Sequence, residues 1–194
     1  MIRARSLEKR YGDKRVLRGV EFELGNDGFL LVTGPNGSGK TTLLRLCAGL
    51  AAPTGGELQI GADRGRVGYL AHESLLYREL TALENLDLYG RLYRVSERRE
   101  RMGMLLERFG LWESRHARAG SYSRGMLQRL ALCRTLLHEP SLLVLDEPYS
   151  GLDAEGAELL DRELNERRAE AAFVVATHDP IRLDRLASLR LALA

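Results

Sequence analysis

The segment Gly34-Pro35-Asn36-Gly37-Ser38-Gly39-Lys40-Thr41 constrains this chain more than any other. It fits G-x-x-x-x-G-K-[ST]. Before it stands Phe29 to Thr33, a short apolar run of the buried-strand kind; after it, Thr42 to Leu50 has helical spacing. A glycine-rich turn leading from strand to helix is the setting of a phosphate-binding loop. The glycines let backbone N–H groups turn inward around phosphate oxygens, and the helix adds the positive end of its dipole. Lys40 is then placed to reach β- and γ-phosphates, and the Thr41 hydroxyl to bind Mg²⁺.

The rest of the chain supplies the elements such a loop needs. Ile2 to Lys9 and Val16 to Leu24 read as strands around a turn at Tyr11-Gly12-Asp13,. Glu57 to Ile60 and Arg66 to Leu70 read as short strands, and Leu142 to Leu145 and Ala172 to Thr177 as buried ones. Helical spacing covers Thr81 to about Ala117, with Leu83, Leu86, Leu88, Leu92, Leu105, Leu106 and Phe109 as its apolar positions. Further helices are expected over Arg124 to His138 and Ala154 to Arg168. Strands alternating with helices imply an α/β fold, a mostly parallel sheet covered on both faces. Residues from about 75 to 135 are dominated by helix and are expected to project as a subdomain.

Composition narrows the function classes. A length of 194 residues suits one domain, and 44% hydrophobic with 29% charged residues is ordinary globular composition,. The longest apolar run, Ala171 to Ala176, is far short of the about 20 residues that span a bilayer,. No apolar N-terminal segment resembles a secretion signal, so a cytoplasmic location is expected. Cys47 and Cys133 lie in apolar sequence without metal-ligand spacing and read as buried thiols,. The net charge is +2, and scattered arginines are balanced by 27 acids, so no nucleic-acid face is indicated,. Of the 29 basic residues only Lys9, Lys14 and Lys40 are lysines, which sets Lys40 apart.

Two further strand ends carry chemistry. Leu142 to Leu145 runs into Asp146 and Glu147. The first carboxylate is placed to hold Mg²⁺ through water, the second to activate an attacking water. Thr177-His178-Asp179 ends the other buried strand, where ligands bind in open α/β sheets,.

Together these residues resemble the ATP-binding subunits of ABC transporters. Between the two nucleotide motifs, Tyr122-Ser123-Arg124-Gly125-Met126-Leu127-Gln128-Arg129 is similar to the family's signature segment; Tyr122, Arg124 and Met126 depart from it. Ser150-Gly151-Leu152-Asp153 resembles the family's D-loop, His178 its switch histidine, and Tyr11 the aromatic that stacks on adenine. The resemblance covers essentially the whole chain. It implies a P-loop NTPase (RecA-like) core with a small antiparallel β subdomain and a helical signature subdomain, residues 1–194 forming one ATP-binding domain. It also implies ATP and Mg²⁺ as cofactors, with Gly34 to Thr42 and Tyr11 binding nucleotide and Thr41 and Asp146 holding the metal. Glu147 and His178 would be catalytic. In a head-to-tail homodimer or heterodimer, Ser123 and Gly125 of one subunit would close over ATP held by the other. The partner implied is an integral membrane transporter subunit, which puts this chain on the cytoplasmic face of the membrane.

Two departures carry content. His72 stands where the family has a glutamine that contacts Mg²⁺ and the attacking water. Its imidazole either takes that catalytic and metal-binding place or is an exposed loop residue. Arg124 either meets the facing subunit's γ-phosphate or points outward as a solvated helix-start residue. The chain is also short, with only Gly61 to Gly65 between two strands and a C-terminus soon after His178, so no regulatory domain is expected. His72, the run Glu79 to Leu86 and the compact length resemble the ATP-binding subunit of the haem exporter of cytochrome c maturation. Two competing classes are a soluble ABC ATPase acting on ribosomes or DNA and a P-loop kinase of small molecules. The first usually brings paired domains or long coiled coils, which this length does not hold; the second needs no segment like Ser123 to Arg129.

Overall fold

The computed structural model describes all of residues 1–194. Three apolar runs without polar interruption become β3 (Phe29–Thr33), β6 (Leu142–Asp146) and β7 (Ala172–Ala176). With β5 (Val67–Leu70) and β8 (Leu189–Ala192) they form a parallel five-stranded sheet in the order β5-β6-β7-β3-β8. Alternate residues of each strand face opposite ways, so an unbroken apolar run is what a sheet covered on both faces requires. One face carries Phe29, Leu31, Leu143, Leu145, Phe173 and Val175; the other carries Leu30, Val32, Leu142, Val144 and Val174.

The second face packs on α1 (Lys40–Cys47), which is overlain by an antiparallel sheet of β2 (Lys14–Leu24), β1 (Ile2–Tyr11) and β4 (Gly55–Ile60). In β1 the buried positions run Ile2, Ala4, Leu7. The alternation slips by one at Ser6, whose φ is +45°, where the register with β2 also shifts,. The first face packs on α2 (Ala82–Leu92), α3 (Arg98–Arg108), α4 (Arg124–Leu136) and α5 (Ala154–Glu166). Helices α2 to α4 share one continuous buried cluster with that face.

Several expectations are corrected. The helical spacing over Thr81 to about Ala117 holds two helices and ends at Arg108: the chain turns at residues 93–97, where Arg94 and Glu97 adopt left-handed backbones (φ +55° and +49°). Residues 109–118 are irregular. Leu86, Leu105, Leu106 and Phe109 are core, but Leu92 is exposed because the helix ends there and turns its last side chain outward. Helix α1 starts two residues earlier than expected, at Lys40. Strand β8 is not among those expected: its Leu-Arg-Leu-Ala alternates as an edge strand does, but over only four residues,. Cys47 and Cys133 are buried free thiols, and burial pushes the Cys47 thiol up to about 12.

The run Glu79 to Leu86 has a local structural task. Thr81 caps α2 by accepting from the Glu84 N–H at 3.2 Å, and Glu84 accepts from the Thr81 N–H at 2.8 Å, a capping box,. Fully buried Asn85 donates to the carbonyls of Tyr77, Leu80 and Thr81 and accepts from the Tyr77 N–H.

Candidate active site

The parallel strands deliver their C-terminal ends to one edge, and the site is built there. Beyond β3 the loop Gly34 to Gly39 leads into α1. Gly39 occupies the N-cap with φ +101°, and no side chain caps the helix. A Cβ at Gly39 would lie 2.9 Å from Leu17 and 3.1 Å from the Val16 carbonyl, so this position admits only glycine without a shift,. The first-turn N–H groups of α1 are therefore free to receive an anion.

Lys40 is buried and donates to the carbonyls of Gly34 (2.7 Å) and Pro35 (3.1 Å), folding over the loop it would share with phosphates. Ser38 Oγ is buried inside the loop with no partner. At the end of β6, Asp146 is 2% exposed, and its Oδ2 accepts from Thr41 Oγ1 at 2.6 Å. Burial pushes the Asp146 carboxyl above the usual carboxylate range, against the pull of the Thr41 hydroxyl,.

Glu147 follows with a left-handed backbone (φ +50°). Its Oε2 accepts from Thr177 Oγ1 at 3.2 Å and lies 2.8 Å from His178 Nδ1. A non-glycine residue held in this conformation is strained, and such strain persists only where its surroundings over-determine it.

These groups line a cleft of about 450 Å³ formed by Tyr11, Lys14, Val16, Asn36, Gly37, Gly39, Lys40, Thr41, Thr42, His72, Asp146 and Glu147. Tyr11 is half exposed at the end of β1, with Lys9 Nζ 5.0 Å from its ring centroid. Two of the three lysines, Lys14 and Lys40, line this cleft, while Lys9 donates to the Ala52 carbonyl beside it. Gly34, Pro35 and Ser38 sit in the loop itself, and His178 joins through Glu147. His72 is exposed and also lines the neighbouring cleft with Arg124, Gln128, Glu147 and Ser150. Ser123 and Gly125 lie outside the nucleotide cleft at the start of α4, where Ser123 Oγ accepts from the Met126 N–H at 3.2 Å. Arg124 is exposed at the helix start, in keeping with the outward reading, and donates to Ser150 Oγ at 2.8 Å.

Sequence reasoning missed Lys14, Val16 and Thr177 as site residues. The scarcity of lysine signals the first and the strand end Thr177-His178-Asp179 the third; nothing local signals Val16, which contributes through position alone.

A Mg²⁺ ion fits the donor set present. No three or more His, Cys, Asp or Glu side chains gather into a metal cage. A hydroxyl and a carboxylate, Thr41 and Asp146, are a partial oxygen set of the kind Mg²⁺ completes with substrate phosphates and water.

Residues 17–150 match the family model described as ABC transporter. The uncharacterized ABC transporter ATP-binding protein YxlF of Bacillus subtilis (strain 168) is 40% identical over 185 residues, covering 92% of this chain and 62% of that protein. The Nod factor export ATP-binding protein I of Burkholderia orbicola (strain AU 1054) is 35% identical over 194 residues, covering 94% of this chain and 64% of that protein. The chain thus spans somewhat less than two thirds of the length of these relatives. Among solved structures, an ATP-binding cassette captured as a dimer after hydrolysis, with ADP and Pi bound, superposes with a TM-score of 0.89 at 28% identity. The match covers 100% of this chain and 94% of that one.

Proposed function

This chain belongs to the ABC transporter family as an ATP-binding subunit, and from that premise we propose that it binds and hydrolyses MgATP to power export through a separate membrane subunit. One observation carries the reading. Thr41 and Asp146, distant in sequence, meet at 2.6 Å beside Lys40, while Glu147 stands next to them in the same cleft. A loop that only turned the chain would need none of these pairings.

Residues 1–194 act as one ATP-binding domain, with about 75–135 as its helical part. Tyr11 offers a ring face for adenine. The α1 N-terminus and the loop N–H groups take the phosphates, and Lys40 leaves the Gly34 and Pro35 carbonyls to bind them. Thr41 and Asp146 hold Mg²⁺, which neutralises charge on the β- and γ-phosphates when bound. Glu147 accepts a proton from the attacking water, and Thr177 and His178 fix the direction of its carboxylate. His72 borders the same water position. Ser123 and Gly125, outside the cleft of their own chain, act on nucleotide held by a second ATP-binding subunit, homodimeric or heterodimeric. The dimeric state of the superposed cassette supports this arrangement.

No helix is long and apolar enough to cross a membrane. From the family membership we place the chain at the cytoplasmic face of the membrane, held there by its partner. Export is supported by the relative named for Nod factor export. Haem export for cytochrome c maturation rests on His72 and on Glu79 to Leu86, and the second of these is already accounted for by the α2 cap and the Asn85 clamp. Loss of c-type cytochromes on deletion of the gene tests that cargo.

The test of the activity is MgATP binding and turnover by the chain, alone and reconstituted with its membrane subunit, beside Lys40→Ala. Turnover by the wild type and loss of nucleotide binding in Lys40→Ala are expected. A wild type that binds no ATP ends the reading, and sedimentation with ribosomes or retention on DNA replaces it with another.

A further inference from the structure

Arg124 breaks the family's signature pattern, and the proposed reaction assigns it no task. Three side chains of the first turns of α4 grip the segment that follows Glu147. Arg124 Nη2 donates to Ser150 Oγ at 2.8 Å, Gln128 Nε2 to the Pro148 carbonyl at 2.9 Å, and Arg129 Nη2 to Asp153 at 3.0 Å. From the other side Tyr149 is anchored by its hydroxyl, which donates to Asp161 at 2.6 Å. Pro148, Tyr149 and Asp153 therefore have their own anchors, and Arg124 is the one side chain that bonds Ser150.

Ser150 matters because its N–H donates to the Glu147 carbonyl at 2.9 Å, closing the turn on the strained residue. The Arg124 stem lies flat on the next position: a Cβ at Gly151 would be 2.8 Å from Arg124 Cγ. Gly151, with φ +80°, lets the guanidinium reach its target. The contact is built from packing and a hydrogen bond together.

We propose that Arg124 is a positioning residue for the Glu147 carboxylate, acting through Ser150. It links the helix start that bears Ser123, the residue facing the second subunit, to the turn that sets the Glu147 backbone. The proposal rests on Glu147 being the hydrolytic carboxylate, and it excludes a contact between Arg124 and the other subunit's nucleotide as the main role of this side chain.

The test compares wild type, Arg124→Ala, Arg124→Lys, Ser150→Ala and the double Ala variant. In the nucleotide-free chain, amide exchange at Ser150 should quicken about tenfold in Arg124→Ala. With MgATP, Arg124→Ala and Ser150→Ala should each lower kcat about tenfold with KM unchanged, and the double variant should fall no further. Arg124→Lys, which keeps a donor for the hydroxyl, should recover most of the rate. Unchanged exchange in Arg124→Ala overturns the latch. A raised KM, or losses that multiply in the double variant, overturns the route through Ser150 in favour of a direct phosphate contact. A wild type that hydrolyses no MgATP overturns the assigned reaction instead, and the exchange measurement separates that failure from the first.

Discussion

His178 Nδ1 stands 2.8 Å from Glu147 Oε2 although the two residues lie 31 apart in sequence. Thr177 Oγ1 reaches the same oxygen, so the carboxylate is held at the cleft by two donors from the end of β7. Glu147→Gln keeps the shape but removes the proton acceptor. ATP binding should persist while turnover falls at least about a hundredfold, the scale of a lost general base. Size-exclusion chromatography of this variant with ATP, and with the membrane subunit if the isolated dimer is weak, should show a dimer peak. A monomer under both conditions argues against nucleotide held between subunits.

His72 borders the cleft without a bonded partner of its own in the chain, so its imidazole is free to accept a hydrogen bond. His72→Gln restores an acceptor and should leave turnover within about threefold of wild type. His72→Ala removes it and should cost about tenfold, close to the worth of one hydrogen bond. Steady-state ATPase rates decide; equal rates in all three proteins leave His72 as a loop residue.

Asp146 is costly to the nucleotide-free fold. Burial raises its carboxyl above the ordinary range, so the folded chain binds this proton more tightly than the unfolded chain. Stability is then full below the unfolded value and is lost as pH rises through the folded one. Asp146→Asn keeps an acceptor for Thr41 without the charge. It should raise stability at pH 7 by about 1 kcal/mol, with no gain near pH 3 and no stabilisation by MgATP. Urea unfolding at the two pH values checks the sign.

Glu163 on α5 is buried at 1% side-chain exposure between Arg108, at 2.5 Å, and Arg167. Burial alone would raise its carboxyl, but the bonds from Arg167 and Arg108 outweigh it and hold the group below the usual range. This contribution is present above the unfolded value and is lost as pH falls through the folded one. Glu163→Gln should cost about 2 kcal/mol at neutral pH, since the mostly buried Arg167 loses its charged partner while the exposed Arg108 keeps Glu166,. The difference from wild type should shrink in acid, which denaturant titration at pH 7 and pH 4 measures.

Residues whose roles are set by their immediate neighbours were legible. The loop Gly34 to Thr41 declares itself because backbone N–H groups can surround a phosphate only with glycine at defined places. Strands β3, β6 and β7 declare themselves because burial on both faces demands unbroken apolar runs. Asp146, Glu147 and His178 are legible as strand ends. The break between α2 and α3 was not: residues 93–97 carry no proline or glycine, and only the left-handed turns at Arg94 and Glu97 reveal it.

The sequence by itself determined the phosphate-binding loop and the acidic strand end, since steric and short-range hydrogen-bond rules act within a few residues. Tertiary structure decided everything that crosses the sheet. The order β5-β6-β7-β3-β8 puts β7 beside both β6 and β3, and that arrangement brings Thr177 and His178 to Glu147. The packing of α1 under β6 brings Thr41 to Asp146, and the crossing of α4 over the turn after β6 gives Arg124 its partner in Ser150. Such contacts depend on which buried faces pack together, and many pairings of equally apolar strands and helices are compatible with the same local pattern.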